Sequence, residues 1–234
     1  MFGDTPASRH FYCLIVLISI ALGLLFGCGP DRAQTIVPVT TGEANETSSV
    51  VDESTEGAAA AIVTDKDRDN VIAALLTLDD MPTGWTQNET AVFTPSTPGG
   101  TYRSMCQDIP ARSIGSASVS FSQSTLGPQV DQFITIYPSS EEAEAAMADL
   151  SGVAQECGEY SDDNGNVFTL SPLAFPSLGD DTFAVRSANQ LVQADWVRIR
   201  VDSAIINLIQ AGLSINSELT EELARLAVDR YNEH

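Results

Sequence analysis

The sequence predicts an α+β domain in which an antiparallel β-sheet is packed with two to three helices as a sandwich. Three observations predict it. Short segments alternate apolar and polar residues with period two, as half-buried strands do. Two longer segments carry apolar residues at helical spacing. Between Glu159-Tyr160 and Val167-Phe168-Thr169-Leu170 stands Asn164-Gly165, a pair that favours the tight turn of a hairpin.

The elements follow in order. Asp69–Leu76 reads as a short first helix, broken by Asp80-Met81-Pro82-Thr83-Gly84-Trp85, where proline and glycine mark a turn. Ser116–Ser124 alternates through Ala117, Val119 and Phe121, and Gln132–Tyr137 reads as the next strand after a turn at Leu126-Gly127-Pro128. Ser139 then caps a second helix, with Glu142 placed to complete a capping box. Its stripe is Ala143, Ala146, Met147, Leu150, Val153 and Ala154, and it stops near Cys157-Gly158. Further strands are expected at Thr182–Ser187, Leu191–Asp202 and Ala204–Gln210. In the middle one Arg198 and Arg200 alternate with Val197, Ile199 and Val201, so it is expected to bury one face and wet the other. A last helix runs from Ser217 to Tyr231 with Leu219, Leu223, Leu226 and Ala227 inward.

Before this domain the chain is of another kind. Arg9 and His10 precede the apolar run Phe11–Phe26. As a helix that run reaches about 24 Å, short of the ~30 Å of a hydrocarbon core. A charged start, a short apolar stretch and a small-residue exit describe a secretory signal rather than a permanent span. The exit, Leu25-Phe26-Gly27-Cys28, resembles the lipobox of bacterial lipoproteins. That resemblance implies cleavage before Cys28 and diacylglycerol on its thiol, hence attachment to the extracytoplasmic face of the cell membrane. Phe26 is bulkier than the pattern usually holds. From Gly29 to about Thr64 the chain is rich in Thr, Ser, Ala, Gly and Glu, without aromatic residues or leucine; such a segment buries too little to offset its ordering entropy and reads as a tether. The expected organisation is a signal peptide over residues 1–27, a tether over 28–64 and a sensor-like domain over 65–234.

Composition excludes several chemistries. Acids number 32 against 11 bases, for a net charge of -21, which repels phosphate backbones and makes nucleic acid an unsuitable partner. Of the two histidines, His10 falls in the signal and His234 is the last residue, so triads with histidine and histidine–zinc sites find no support. No cofactor and no metal site is expected. Asp162-Asp163-Asn164-Gly165-Asn166 fails the calcium-loop pattern, because its sixth position is Val167, and Gly179-Asp180-Asp181 reads as a turn. No catalytic residue stands out, although a carboxylate pair of a hydrolase remains an alternative among so many acids.

Setting aside Cys13 and Cys28 leaves Cys106 and Cys157. Export favours their union as one disulfide, worth about 4 kcal/mol through loop-closure entropy; two buried free thiols are the alternative. Trp85, Tyr137 and Trp196 are the candidate walls of a small-molecule or cell-envelope ligand site, with core packing as the competing role.

Several short features span the domain: Ala74-Leu75-Leu76 leading to Met81-Pro82-Thr83-Gly84-Trp85, Ser139-Ser140-Glu141-Glu142-Ala143, Cys157, Phe175-Pro176 with Leu178-Gly179-Asp180, and Arg198-Ile199-Arg200. Together they resemble the extracellular sensor domain of mycobacterial serine/threonine kinases of the PknH type and of lipoproteins sharing it; the PsbP-like arrangement fits the same element order. The first resemblance implies an α/β sandwich with a cleft and two disulfides, of which this chain can form one. The expected function is that of a non-enzymatic, membrane-tethered binding or sensing module. A structural envelope component with protein partners is the other non-catalytic alternative.

Overall fold

The computed structural model describes residues 63–124, 127–162 and 164–234. The signal segment, Cys28 and nearly all of the tether lie outside the described residues, as do Leu126 and Asp163. Among the described residues ten strands and three α-helices follow one another: α1 (Asp65–Ala73), β1 (Thr86–Pro95), β2 (Thr101–Ser104), β3 (Gln107–Pro110), β4 (Gly115–Ser122), β5 (Gln129–Ile136), α2 (Ser140–Glu156), β6 (Glu159–Ser161), β7 (Val167–Pro172), β8 (Asp181–Ala188), β9 (Gln193–Val201), β10 (Ala204–Gly212) and α3 (Ser217–Glu233). Eight strands form one antiparallel sheet in the order β1-β4-β5-β10-β9-β8-β7-β6, and β2 and β3 form a separate hairpin. The α+β fold is as expected.

The connection from β5 to β6 organises the molecule. β5 lies inside the sheet and β6 at its far edge, five strand spacings or about 24 Å away. The 17 residues of α2 rise about 26 Å, so one uninterrupted helix can carry the chain over that face. Ser139 caps it by accepting from the Glu142 N–H at 3.3 Å. The Glu142 carboxylate, however, binds Arg112 at 3.0 Å.

Both faces of the sheet are covered. One carries the larger core: Phe121, Ile134, Ile199 and Ile206, with α1 and α3 against them. The other meets α2 through Ile205, Ala143, Met147 and Leu150. Double coverage corrects the expectation for β9. The strand starts at Gln193, after a turn in which the Asn189 carboxamide accepts from Leu191 and Val192 N–H at 2.8 Å. Neither of its faces is wet: Arg198 is buried with only 7% exposure, and Arg200 is half-buried.

Two more boundaries moved for local reasons. A capping box joins Thr64 and Asp67, so α1 starts at Asp65 and ends before Leu75-Leu76, which turn into the core. The N–H of Leu76 is satisfied by the buried Gln132 carboxamide at 2.7 Å. On α3 the buried face is Thr220, Leu223, Ala224, Ala227 and Val228, while Leu219 and Leu226 lie on its flanks. The rotation follows Thr220, whose hydroxyl donates to buried Gln210 at 2.7 Å.

The sequence pattern missed β1 and the β2–β3 hairpin. β1 is an edge strand with register breaks near Glu89; one side of it meets solvent, so its residues need not alternate. Its Phe93 ring lies where a side chain at Gly115 would stand. Cys106 and Cys157 form the expected disulfide, with Cα atoms 5.9 Å apart, and tie the hairpin to the end of α2.

Candidate ligand-binding cleft

Between the sheet, α2 and the hairpin lies a cavity of about 990 Å³, at the upper end of the range for small-molecule sites. Sheet register builds its floor. Arg198 stands opposite Asn207, and Asn207 opposite Phe133; in the next row Trp196 stands opposite Ile209. Period two places all five side chains on the α2 side. Ala146 and Leu150 of α2 form one wall, and Tyr102, Met105 and Ile109 of the hairpin form another. Tyr160, stacked on Phe168 with ring centroids 5.3 Å apart, lines the end near β6.

The aromatic walls are held in place. The Trp196 indole N–H donates to the Ser187 hydroxyl at 2.9 Å, which fixes the ring plane across two neighbouring strands. Tyr137 is buried, and burial pushes its phenol well above the ordinary tyrosine pKa. It stays a neutral hydrogen-bonding group at any physiological pH.

Three arginines line the cavity: Arg103 is exposed on the hairpin and lies 3.7 Å from Asp108, and the two more deeply set, Arg112 and Arg198, are in opposite states. Arg112 donates to Glu142 at 3.0 Å and Asp149 at 3.2 Å; the Glu142 hydrogen bond, ahead of the Asp149 contact, holds its pKa above the usual arginine value. Its role is to fasten α2 to the approach to β4. Arg198 has no such partner. Its Nη1 is buried without a hydrogen bond, and burial pulls its pKa below the ordinary arginine value. The ionisable groups that face it are the Tyr102 and Tyr137 hydroxyls. Every other arginine among the described residues is paired with a carboxylate.

Of the residues singled out from sequence, the cleft brings together Tyr137 and Trp196. Trp85 is elsewhere: it is buried on the opposite face, in the core with Leu75 and Met81. The Pro-Gly turn beside it delivers it into the core, the competing role. Sequence reasoning missed Tyr102, Phe133, Tyr160, Asn207 and above all Arg198. The available signal was a charge centred in Val197-Arg198-Ile199-Arg200-Val201, ahead of the apolar run of β10. An arginine between two such strands cannot count on solvent if the sheet is covered on both sides.

Other motifs resolve into turns. Asp162 accepts from the N–H groups of Asn164 at 2.9 Å and Asn166 at 2.8 Å, locking the hairpin loop that Gly165 closes with φ +79°. Asp180 accepts from the Asp202 N–H at 2.8 Å and from Arg200 at 3.2 Å. No group of three or more His, Cys, Asp or Glu able to hold a metal occurs among the described residues. Nor is any described helix long and apolar enough to cross a membrane.

The fold is therefore an antiparallel α+β sandwich with a roofed cleft on one face. Among solved structures it is similar to the extracellular domain of PknH from Mycobacterium tuberculosis. The TM-score is 0.53 over 71% of this chain and 97% of that one, at 10% sequence identity. The likeness is one of fold. No protein-family model matches the chain, and no curated protein matches it.

Proposed function

We propose that the chain is a non-enzymatic ligand-binding or sensing module, held on the extracytoplasmic face of a membrane by lipid on Cys28. The observation that carries the binding role is the cleft: about 990 Å³, aromatic-walled, with a buried cation lacking a protein counter-ion. The disulfide Cys106–Cys157 and the likeness to an extracellular domain support an oxidising, external setting. Residues 28–64 serve as the tether and 65–234 as the presented domain.

A thermal-shift panel of small metabolites and glycans tests the binding role. A ligand present at a hundred times its Kd adds about 2.7 kcal/mol by mass action, a shift of several degrees. A panel that moves the midpoint nowhere counts against it. The anchor is tested by Cys28→Ala, which is expected to lose acylation and leave the membrane fraction. Persistent membrane association of that variant refutes lipid attachment.

A further inference from the structure

We infer that Arg198 is the recognition point for a single oxyanionic head group, a carboxylate or a phosphate monoester, carried on an apolar or aromatic body that fills the rest of the cleft. This deepens the binding role proposed above and rests on it.

The argument starts from cost. Burying a guanidinium removes its hydration, and only a close counter-charge with hydrogen bonds offsets that. The fold meets this requirement elsewhere. Arg186 is bound by Asp195, Arg230 by Asp80, and Arg200 by Asp180. At Arg198, a residue that lines the cleft, the cross-strand neighbours are Phe183 and Asn207, both neutral, and Nη1 is buried without a hydrogen-bond partner. In a chain with 32 acidic residues, an arginine without an acid beside it leaves a place for an anion from outside.

The surroundings define the rest of the ligand. Arg112, the other cleft arginine that is half-buried, is saturated by Glu142 and Asp149. One free guanidinium binds one planar or tetrahedral oxyanion, in bidentate fashion where geometry permits. Of the other charged lining residues, Arg103 is exposed and paired with Asp108, and the Asp162 carboxylate is taken up by Asn164 and Asn166; the remaining wall of Phe133, Trp196, Ile209, Leu150 and Ile109 offers no charge to a second head, so the body of the ligand is apolar. The net charge of -21 opposes polyanions at long range, which disfavours nucleotides and oligophosphates against a molecule with one head.

The test uses Trp196 as reporter. Trp85→Phe removes the indole of the opposite core, and the remaining fluorescence is titrated with decanoate, decyl phosphate and decan-1-ol, which share a chain and differ in head. At least one of the two anions is expected to bind tenfold or more tightly than the alcohol, and the better one identifies the head. Arg198→Met, in the same background, is expected to bring both anions down to the affinity of the alcohol while leaving the alcohol's own affinity within about twofold. Without ligand, Arg198→Met is expected to melt no lower than its parent, since replacing an unpaired buried charge by an apolar chain is neutral or stabilising. Equal binding of acid and alcohol by the parent overturns the anion assignment and leaves the cleft as an apolar site. A lower melting point for Arg198→Met, with no loss of anion preference, makes the arginine structural and overturns it too. If none of the three probes binds, the assignment of head and body falls; the wider binding role then stands or falls by the thermal-shift panel.

Discussion

Removing the side chain of Arg186 should cost far more than removing the charge of its partner. Asp195 is fully buried, with no exposed side-chain surface, whereas the side chain of Arg186 keeps 31%. The pair is bidentate, Nε to Oδ1 at 2.6 Å and Nη2 to Oδ2 at 2.8 Å. Ser217, the first residue of α3, closes the network by donating to Asp195 at 3.1 Å and accepting from Arg186 at 2.8 Å. The hydrogen bonds to Asp195 hold the Arg186 pKa above its ordinary value. In Arg186→Met the carboxylate stays buried with one hydroxyl for company, a loss of about 3–5 kcal/mol. In Asp195→Asn the guanidinium can turn to water, and the loss is about 1–2 kcal/mol. Urea denaturation measures both; with m near 2 kcal/mol/M the first variant should drop its midpoint by about 2 M. Arg186→Met/Asp195→Leu should be more stable than Arg186→Met alone, because no orphaned charge remains. Equal losses for the two single variants, or a double variant that simply adds them, would refute the reasoning.

Reduction of Cys106–Cys157, or Cys106→Ser with Cys157→Ser, should cost about 4 kcal/mol by reopening a loop of 51 residues, read as a fall in the denaturation midpoint. Gly179→Ala should cost about 2 kcal/mol or more in the same assay, because φ is +60° there and the added methyl meets the Arg200 carbonyl. Stability should also peak near about pH 4 and decline as pH rises toward about 6. Burial, only partly opposed by hydrogen bonds from Ser120 and Gln129, raises Asp131 from 3.8 to about 6. The native state thus holds that proton more tightly; the stability it brings is complete below pH 4 and lost as pH rises through 6, about 2 kcal/mol for a half-buried group. Asp80 works the other way. Burial would raise it, but the Thr77 N–H and Arg230 outweigh that and hold it below 3.8, so its contribution is present above pH 4 and lost below. Asp131→Asn should flatten the loss between pH 4 and 6; a denaturation midpoint that keeps falling as steeply there would assign the effect to other groups.

Local chemistry wrote much of this architecture directly into the chain. The stripe from Ala143 to Ala154 and the Ser139 cap define α2 because i, i+3, i+4 spacing and an N-terminal hydroxyl act within a few residues. Ala117, Val119 and Phe121 mark β4 for the same kind of reason, and Asn164-Gly165 marks the turn before β7. A count of cysteines, together with the export reading, was enough to propose the disulfide. The order β1-β4-β5-β10-β9-β8-β7-β6 was not legible, since which strands become neighbours depends on contacts distant in sequence. β1 escaped notice because an edge strand is not obliged to alternate. The cleft was half legible: Tyr137 and Trp196 stood out as large aromatics, and so did Trp85, which tertiary packing sent to the opposite core. Arg198 looked like a wetted residue on an alternating strand. Only the crossing of α2 over that face, roofed by the disulfide-bound hairpin, took its water away, and burial is a property that an isolated strand does not possess.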